Sequence, residues 1–384
     1  MSAESITTGT AGAPTAARPP RVRRPEYGQL AGVVGLYVAC IGAALALSAL
    51  LVEVTGGSSV DVFSALLNGS IRGDGRIGAT LGVAVPLLLV ALGTILSNRA
   101  GLVNIGQEGQ LYIGAACAAY AGTKLGMHGP HVVVLVLLAG IVGGALWAGI
   151  AGLLKYRRNV PEVLSTLLLV TIASQLVGYG LKNQWLLLAP AEGRSNRQQV
   201  SRQLSADTRL PRVTWFGNQF PISVFLAIAL ALLVGAVMVR TVWGMRLRML
   251  GHNRRTAQRA GVAASRYGGA ALLVSGGFAG LAGGAMLAGG DFGNYTLVPG
   301  FASQIGWTGL LVALVSRQRA ALAIAMAFVF ACLRTGSSFV ASTGVERRIT
   351  DVVQGLLVLA LLVPPALLFL RQRRRAQNAA GDRT

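Results

Sequence analysis

An all-α polytopic membrane protein is the fold class this sequence predicts, and three observations carry the prediction. Of its 384 residues, 53% are hydrophobic and 12% are charged, with a mean hydropathy of +0.60. A soluble domain carries about 25% charged residues. Apolar runs of helix length recur from Leu30 to Leu370, and a spanning helix needs roughly 20 such residues. The arginines lie between and beyond these runs, where positive-inside charge sits. The formal charge of +21 therefore reads as membrane topology, and no nucleic-acid partner is expected.

Residues 1–28 are rich in Ser, Thr, Ala and Pro and end in "RPPRVRRPEYG". They have no apolar core, so a disordered basic cytoplasmic tail is expected, not a signal peptide. The transmembrane domain is expected over 29–371, in about ten spans. These are Leu30–Val52, Ala79–Leu96, Val103–Ala121, His131–Leu154, Val163–Leu181, Pro221–Val239, Tyr267–Ala288, Ile305–Val315, Ala320–Leu333 and Val352–Leu370. The eighth and ninth are short for a span, which suggests tilted, broken or re-entrant segments.

Charge sets the orientation. Lys155, Arg157 and Arg158 fall inside, as do the arginines between Arg240 and Arg266, which no acidic residue accompanies, and the "RQRRR" opening at Arg371. Both termini are then cytoplasmic, 240–266 is a cytoplasmic loop, 182–220 is an external loop, and 372–384 is a second basic tail. The external loop runs against the rule, with six basic residues against two acidic ones. Most of those charges lie away from the helix ends, where the rule is weakest.

Close packing is written into the seventh run, "SGGFAGLAGGAML", where Gly276, Gly280 and Gly284 make one smooth stripe; Gly140, Gly144 and Ala148 do the same in the fourth. In lipid, close backbone approach supplies the attraction between helices. Cys40, Cys117 and Cys332 lie scattered in apolar stretches and read as core residues. The three histidines have no partner at metal-ligand spacing, so no metal site is expected.

The stretch "GLVNIGQEGQLYIGA", Gly101 to Ala115, gathers Asn104, Gln107, Glu108 and Gln110 at the start of an apolar run. On a helix, Asn104, Glu108, Leu111 and Ala115 share a face, with Gln107, Gln110 and Gly114 on the next. A charge near mid-bilayer costs roughly 2.5–3.5 kcal/mol and marks a site. Two readings follow. Either the cluster is a wet first turn at the cytoplasmic surface, or it belongs to a water-lined cavity built around a short or broken helix. Ser165, Thr166 and Gln175 in the fifth run, and Asp291, Gln304, Trp307 and Thr308 around the eighth, add polar groups on other helices.

A second informative stretch is "WGMRLRMLGHNRRTAQRAGVAASRYGG". It is too polar to span. Asn253 suits an N-cap, residues Arg254 to Ala260 suit a helix, and Gly261 suits its stop. A short helix lying beneath the membrane is expected, either touching anionic lipid or docking as a lever on a soluble partner. Lys124, Lys155 and Lys182 are the only lysines, and none stands in GxxxxGK[ST]. The chain therefore lacks a phosphate cradle of its own, and no enzyme motif appears.

These stretches resemble the permease subunits of ATP-binding cassette importers for nucleosides and simple sugars, in the class that includes branched-chain amino acid permeases. "AGLVNIGQEGQLYIGA" and "EVLSTLLL" look like that family's signatures. "GMRLRMLGHNRRTAQRAGV" looks like its coupling segment, with Gly244, Arg248, Gly251, Asn253, Ala257 and Gly261 at matching places. "SGGFAGLAGG" and "VVQGLLVL" extend the match, which runs from roughly Ala79 to Leu362. The family often has Asn-Tyr where Val170 and Thr171 stand, and Gly-Phe-Asp-Gly where this chain has Gly306, Trp307, Thr308 and Gly309. Two groups able to grip hydroxyls or a base are thus replaced, which bears on specificity.

The resemblance implies a multi-pass protein of the bacterial plasma membrane. Its implied partners are an ATP-binding subunit, a second permease subunit and an external substrate-binding lipoprotein. It implies no cofactor on this chain, with ATP and Mg on the partner. The path would be lined by Asn104, Gln107, Glu108, Gln110, Ser165, Thr166, Trp307 and Thr308. Coupling would fall to Arg246, Arg248, Gly251, Asn253, Arg255, Ala257, Arg259 and Gly261. The competing expectation is an ion-coupled secondary transporter with Glu108 as the coupling carboxylate.

Overall fold

The computed structural model describes residues 27–54, 56–125, 129, 131–190, 199–302 and 304–340, with scattered positions between 352 and 370. The predicted tails 1–28 and 372–384 lie outside these residues, except that 27 and 28 open the first helix. Every predicted apolar run before residue 341 is helical. The helices are α1 (Tyr27–Val54), α2 (Ser59–Leu67), α3 (Arg76–Arg99), α4 (Gln107–Lys124), α5 (His131–Arg158), α6 (Glu162–Gly180), α7 (Ser223–Arg240), α8 (Val242–His252), α9 (Arg254–Arg259), α10 (Ala264–Gly289), α11 (Ile305–Val315) and α12 (Ala320–Val340). Strands β1 (Arg212–Trp215) and β2 (Asn218–Pro221) form a hairpin. The described positions from Val352 to Leu370 are helical too. Among the described residues, six helices, namely α3, α5, α6, α7, α10 and α12, are long and apolar enough to cross a membrane. The chain is a polytopic helical membrane protein.

Burial separates the helices, and small residues set how closely they meet. The apolar windows of α3 and α10 are 83% and 78% buried, against 33–39% for α5, α6, α7 and α12. The two glycine stripes read from the sequence face each other. A methyl group on Gly280 of α10 would run into the Gly140 carbonyl of α5, and one on Gly276 into Ala148 and Gly144. Gly114 of α4 meets the same point of α10. Three backbones therefore touch with nothing between them, which is how dispersion replaces the missing hydrophobic drive in lipid.

Several elements differ from expectation. The third run becomes helical at Gln107, not Val103, and residues 102–105 belong to no helix. Asn104 is therefore not on the helix. The ninth run is not short: α12 continues to Val340. The eighth is short as expected, and its 11 residues span about 16 Å at 1.5 Å each. Before α3, the unforeseen α2 leads through a π-helical turn, Asn68–Arg72, that packs on the end of α12.

Replacing Gly280 by Val is expected to lower stability by about 1–3 kcal/mol, the usual cost of overpacking. A Val at Gly178, which has open space around it, is expected to leave the detergent-solubilised unfolding midpoint nearly unchanged.

Candidate functional site

The non-helical residues after α3 carry Asn104 into the protein. Asn104, Gln107, Glu108 and Gln110 are 0%, 1%, 8% and 1% exposed. That removes the wet-surface reading of this cluster. Such burial demands partners, and they are present. The Asn104 and Gln110 side-chain amides pair reciprocally, Nδ2 to Oε1 at 2.9 Å and Nε2 to Oδ1 at 3.0 Å. Asn104 Nδ2 also donates to Ser275 Oγ of α10 at 2.9 Å, and its Oδ1 accepts the Gly106 N–H at 3.1 Å. Gln107 turns its amide nitrogen to the Val90 carbonyl of α3 at 2.9 Å, while its oxygen accepts the Thr94 N–H at 3.0 Å and the Ser275 hydroxyl at 3.3 Å. Thr166 of α6 accepts the Ile105 N–H at 3.4 Å. One hydrogen-bonded knot thus joins α3, the non-helical segment, α4, α6 and α10.

Glu108 makes a different bond. Its Oε1 accepts the Gln304 N–H at 2.7 Å, and its Oε2 the Gly306 N–H at 2.6 Å. These amides open α11, whose first N–H groups have no partner within the helix. The carboxylate supplies both the hydrogen bonds and the negative charge that a helix N-terminus favours. α4 is thereby pinned to α11 through a buried charge.

The segment from Gly290 to Gln304 delivers α11 to this point. Gly290, Gly293, Asn294, Tyr295, Gly300 and Gln304 all have left-handed backbone, an arrangement that costs energy at the non-glycine positions. Residues of the 182–220 connection strap this segment and the end of α10 down. Ser201 N–H donates to the Leu297 carbonyl at 2.9 Å, Leu204 N–H to the Tyr295 carbonyl at 3.1 Å, and Leu210 N–H to the Ala288 carbonyl at 2.9 Å. Arg212 pairs with Asp291, and the Arg209 guanidinium stacks over the Tyr295 ring at 4.1 Å. Burial pushes the Asp291 carboxyl above its ordinary value, against the pull of Arg212.

The basic stretch forms two short helices, not one. Thr241 caps α8 by accepting the Gly244 N–H at 3.1 Å. Asn253 caps α9 as expected, accepting the Arg255 and Thr256 N–H groups at 3.0 and 3.1 Å. Gly261, at φ +80°, ends it. Ala257 is buried, while Arg255 and Arg259 are exposed. Arg246 hydrogen-bonds the Tyr267 hydroxyl, and Arg248 is half-buried on α8. At the end of α8, Gly251 lies directly on the backbone of Arg99 and Gly101. A side chain there would separate the two segments. Between them and the end of α5 lies a cavity of about 220 Å³, lined in part by Leu102, Lys155, Tyr156 and Arg254.

The other predicted path residues divide by exposure. Ser165 and Thr166 donate to carbonyls of their own helix, including Pro161 and Glu162, and Thr308 bonds the Gln304 carbonyl at 2.9 Å. Trp307 is exposed. Sequence reasoning missed most of a polar stripe on α6, where Thr171, Ser174 and Gln175 are exposed at mid-helix and Gly178 follows in open space. None of the three polar side chains makes a hydrogen bond among the described residues. On α5 and α7 the exposed mid-helix positions are apolar, such as Leu138, Val142, Leu146, Leu232 and Leu233. The i, i+3, i+4, i+7 spacing from Thr171 was the signal that could have found the stripe.

A family model described as "Branched-chain amino acid transport system / permease component" matches residues 76–362. The chain is 29% identical over 366 residues to the glucose ABC transporter permease protein TsgB13 of Haloferax volcanii, covering 91% of this chain and 93% of that one. It is 29% identical over 338 residues to the guanosine ABC transporter permease protein NupP of Bacillus subtilis, covering 87% and 94%. It is 26% identical over 321 residues to the nucleoside ABC transporter permease protein NupB of Lactococcus lactis, covering 79% and 82%. No solved structure matches it.

Replacing Glu108 by Gln is expected to destabilise the protein by about 1–3 kcal/mol, because one N–H of α11 then faces an amide nitrogen. Hydrogen exchange at Gln304 and Gly306 should accelerate. Unchanged exchange there would mean that the carboxylate does not hold the helix.

Proposed function

The chain belongs to the family of branched-chain amino acid transport system permease components, and from that premise we propose that it forms the membrane path for a nucleoside or a simple sugar. The proposed partners are a separate ATP-binding subunit that hydrolyses ATP, a second permease subunit and an external substrate-binding lipoprotein. In this reading the domain spans 29–371 in ten crossings, both termini are cytoplasmic, 240–266 is the coupling loop and 182–220 lies outside. The names of the relatives support both substrate classes.

One observation carries the mechanism. Besides the Arg246–Tyr267 bond and the packing of Gly244 on α7, the lever α8–α9 meets the chain at Gly251, backbone on backbone with Gly101, and Gly101 begins the non-helical segment that ends in the Asn104 knot. Closure of the ATP-binding subunits would push α9 through the exposed Arg255 and Arg259. The push would reach Gly101 without soft side chains to absorb it, because packed interiors transmit strain. The knot joins five segments, so their relative tilt changes as a unit. Substrate and ATP favour different positions of that unit, which is alternating access.

The path itself we assign to the exposed stripe of α6, Thr171, Ser174 and Gln175, together with Trp307. Unpaired polar groups are costly against lipid, and here they would meet a solute with hydroxyl or amide groups. Asn104, Gln107, Glu108, Gln110, Ser165, Thr166 and Thr308 would set the position of this wall from behind.

Reversing charge with Arg255→Glu and Arg259→Glu is expected to abolish most ATP-driven uptake while folded protein stays in the membrane and the partner's ATP hydrolysis persists. Unchanged uptake would return the segment to a lipid-contact role. Gln175→Leu is expected to lower uptake roughly ten-fold, the value of about 1.4 kcal/mol of lost hydrogen bonding, with no change in the unfolding midpoint. Equal uptake by wild type and variant would remove α6 from the path.

A further inference from the structure

The 182–220 connection ends in a hairpin whose tip the bundle leaves uncovered. Val213 stands opposite Phe220, and Trp215 opposite Asn218. Side chains alternate along a strand, so these four share one face. That face lies on the helices. Phe220 is buried and its ring meets that of Phe225 on α7 at 5.9 Å. The Asn218 side-chain oxygen accepts the Gly78 N–H in the first turn of α3 at 3.3 Å. Trp215 faces the same way, yet it is 62% exposed, and Phe216 beside it is 87% exposed. The indole therefore lies on the packed face of the hairpin but past the point where the helices cover it.

The surface that continues from the tip along α7 is apolar. The hairpin closes on the first turn of one spanning helix and leads directly into another, α7, whose outer flank continues the exposed apolar surface through Ile222, Phe225 and Leu226. Tyr120 at the end of α4, Tyr179 at the end of α6 and Trp185 just beyond it are exposed at the same end of the bundle. Aromatic side chains of this kind collect where membrane meets water. The turn adds an independent observation. Phe216 and Gly217 have φ of +46° and +75°, a mirror-image turn that favours Asn-Gly. A bulky aromatic is disfavoured there, so the chain accepts backbone strain to present a ring at the tip. In water, two adjoining exposed rings would invite association.

We propose that the β1–β2 tip is an interfacial anchor, with Trp215 and Phe216 inserted at the boundary between headgroups and acyl chains of the outer leaflet. The anchor would brace the hairpin, and through Arg212 and Asp291 the strapped segment that delivers α11. Its partner is the lipid surface and not an external protein.

The test uses the intact chain in lipid nanodiscs. The difference in emission between wild type and Trp215→Phe isolates this indole from the other tryptophans. Lipids brominated on the upper acyl carbons are expected to quench the difference emission roughly two-fold or more, as an indole at the interface requires, and aqueous acrylamide to leave it nearly unchanged. Quenching by acrylamide and not by bromolipid would put the tip in water, open to a protein partner. Quenching by neither would put it under protein. Either result overturns the anchor. The conservative Phe keeps an aromatic ring, and an unchanged unfolding midpoint verifies that the fold is intact.

Discussion

A single buried carboxylate holds the two broken parts of this protein together. Glu108 sits at the first turn of α4, and both of its oxygens accept N–H groups at the start of α11. An isolated charge in a protein interior is costly, and the helix end offsets that cost with hydrogen bonds and the positive end of its dipole. Irregular backbone at membrane depth survives only where protein satisfies it. The non-helical segment before α4 and the left-handed segment before α11 meet that condition through the Asn104 knot and Glu108. The competing ion-coupled reading gives way to the family itself, whose relatives are named as ABC transporter permeases.

The same knot explains how a push from outside the membrane domain could be felt within it. The lever α8–α9 and the knot are joined through Gly251 and Gly101, with no side chain between. The knot in turn bonds residues of α3, α4, α6 and α10, and α10 is locked to α5 by facing glycines. Contacts of this kind have few intermediate positions, which suits an assembly that switches between discrete arrangements. At the opposite end, the 182–220 connection straps Gly290–Gln304 with backbone bonds, an ion pair and an arginine stacked on Tyr295. Both ends of the bundle thus connect to the α4–α11 joint.

Helix positions were legible in the sequence because apolar length is a strong signal, and the glycine spacing announced the α5–α10 contact. The short helix α9 was legible in Asn253 and Gly261, whose roles as cap and stop follow from local chemistry. The start of α4 was not, because Val103 and Ile105 read as helix while Asn104, bonded to Gly106 and Gln110, holds the chain out of the helix. The partner of Glu108 was not legible either: it is a pair of backbone amides nearly 200 residues away, and backbone groups leave no mark in a sequence. The hairpin escaped notice because "RVTWFGNQFP" lies in a loop whose basic charge drew attention from its strand alternation. The α6 stripe was hidden among residues that, in most membrane helices, bond their own backbone.

The central claim is that this chain is a gate with no motor, moved through α8–α9 by ATP chemistry on another subunit. Its most direct test is solute uptake into proteoliposomes holding the permease pair, measured with and without the ATP-binding subunit, with ATP and an ion gradient supplied in turn. The account predicts accumulation only when the ATP-binding subunit and ATP are both present. Sustained accumulation driven by a gradient alone, with that subunit absent, would contradict it.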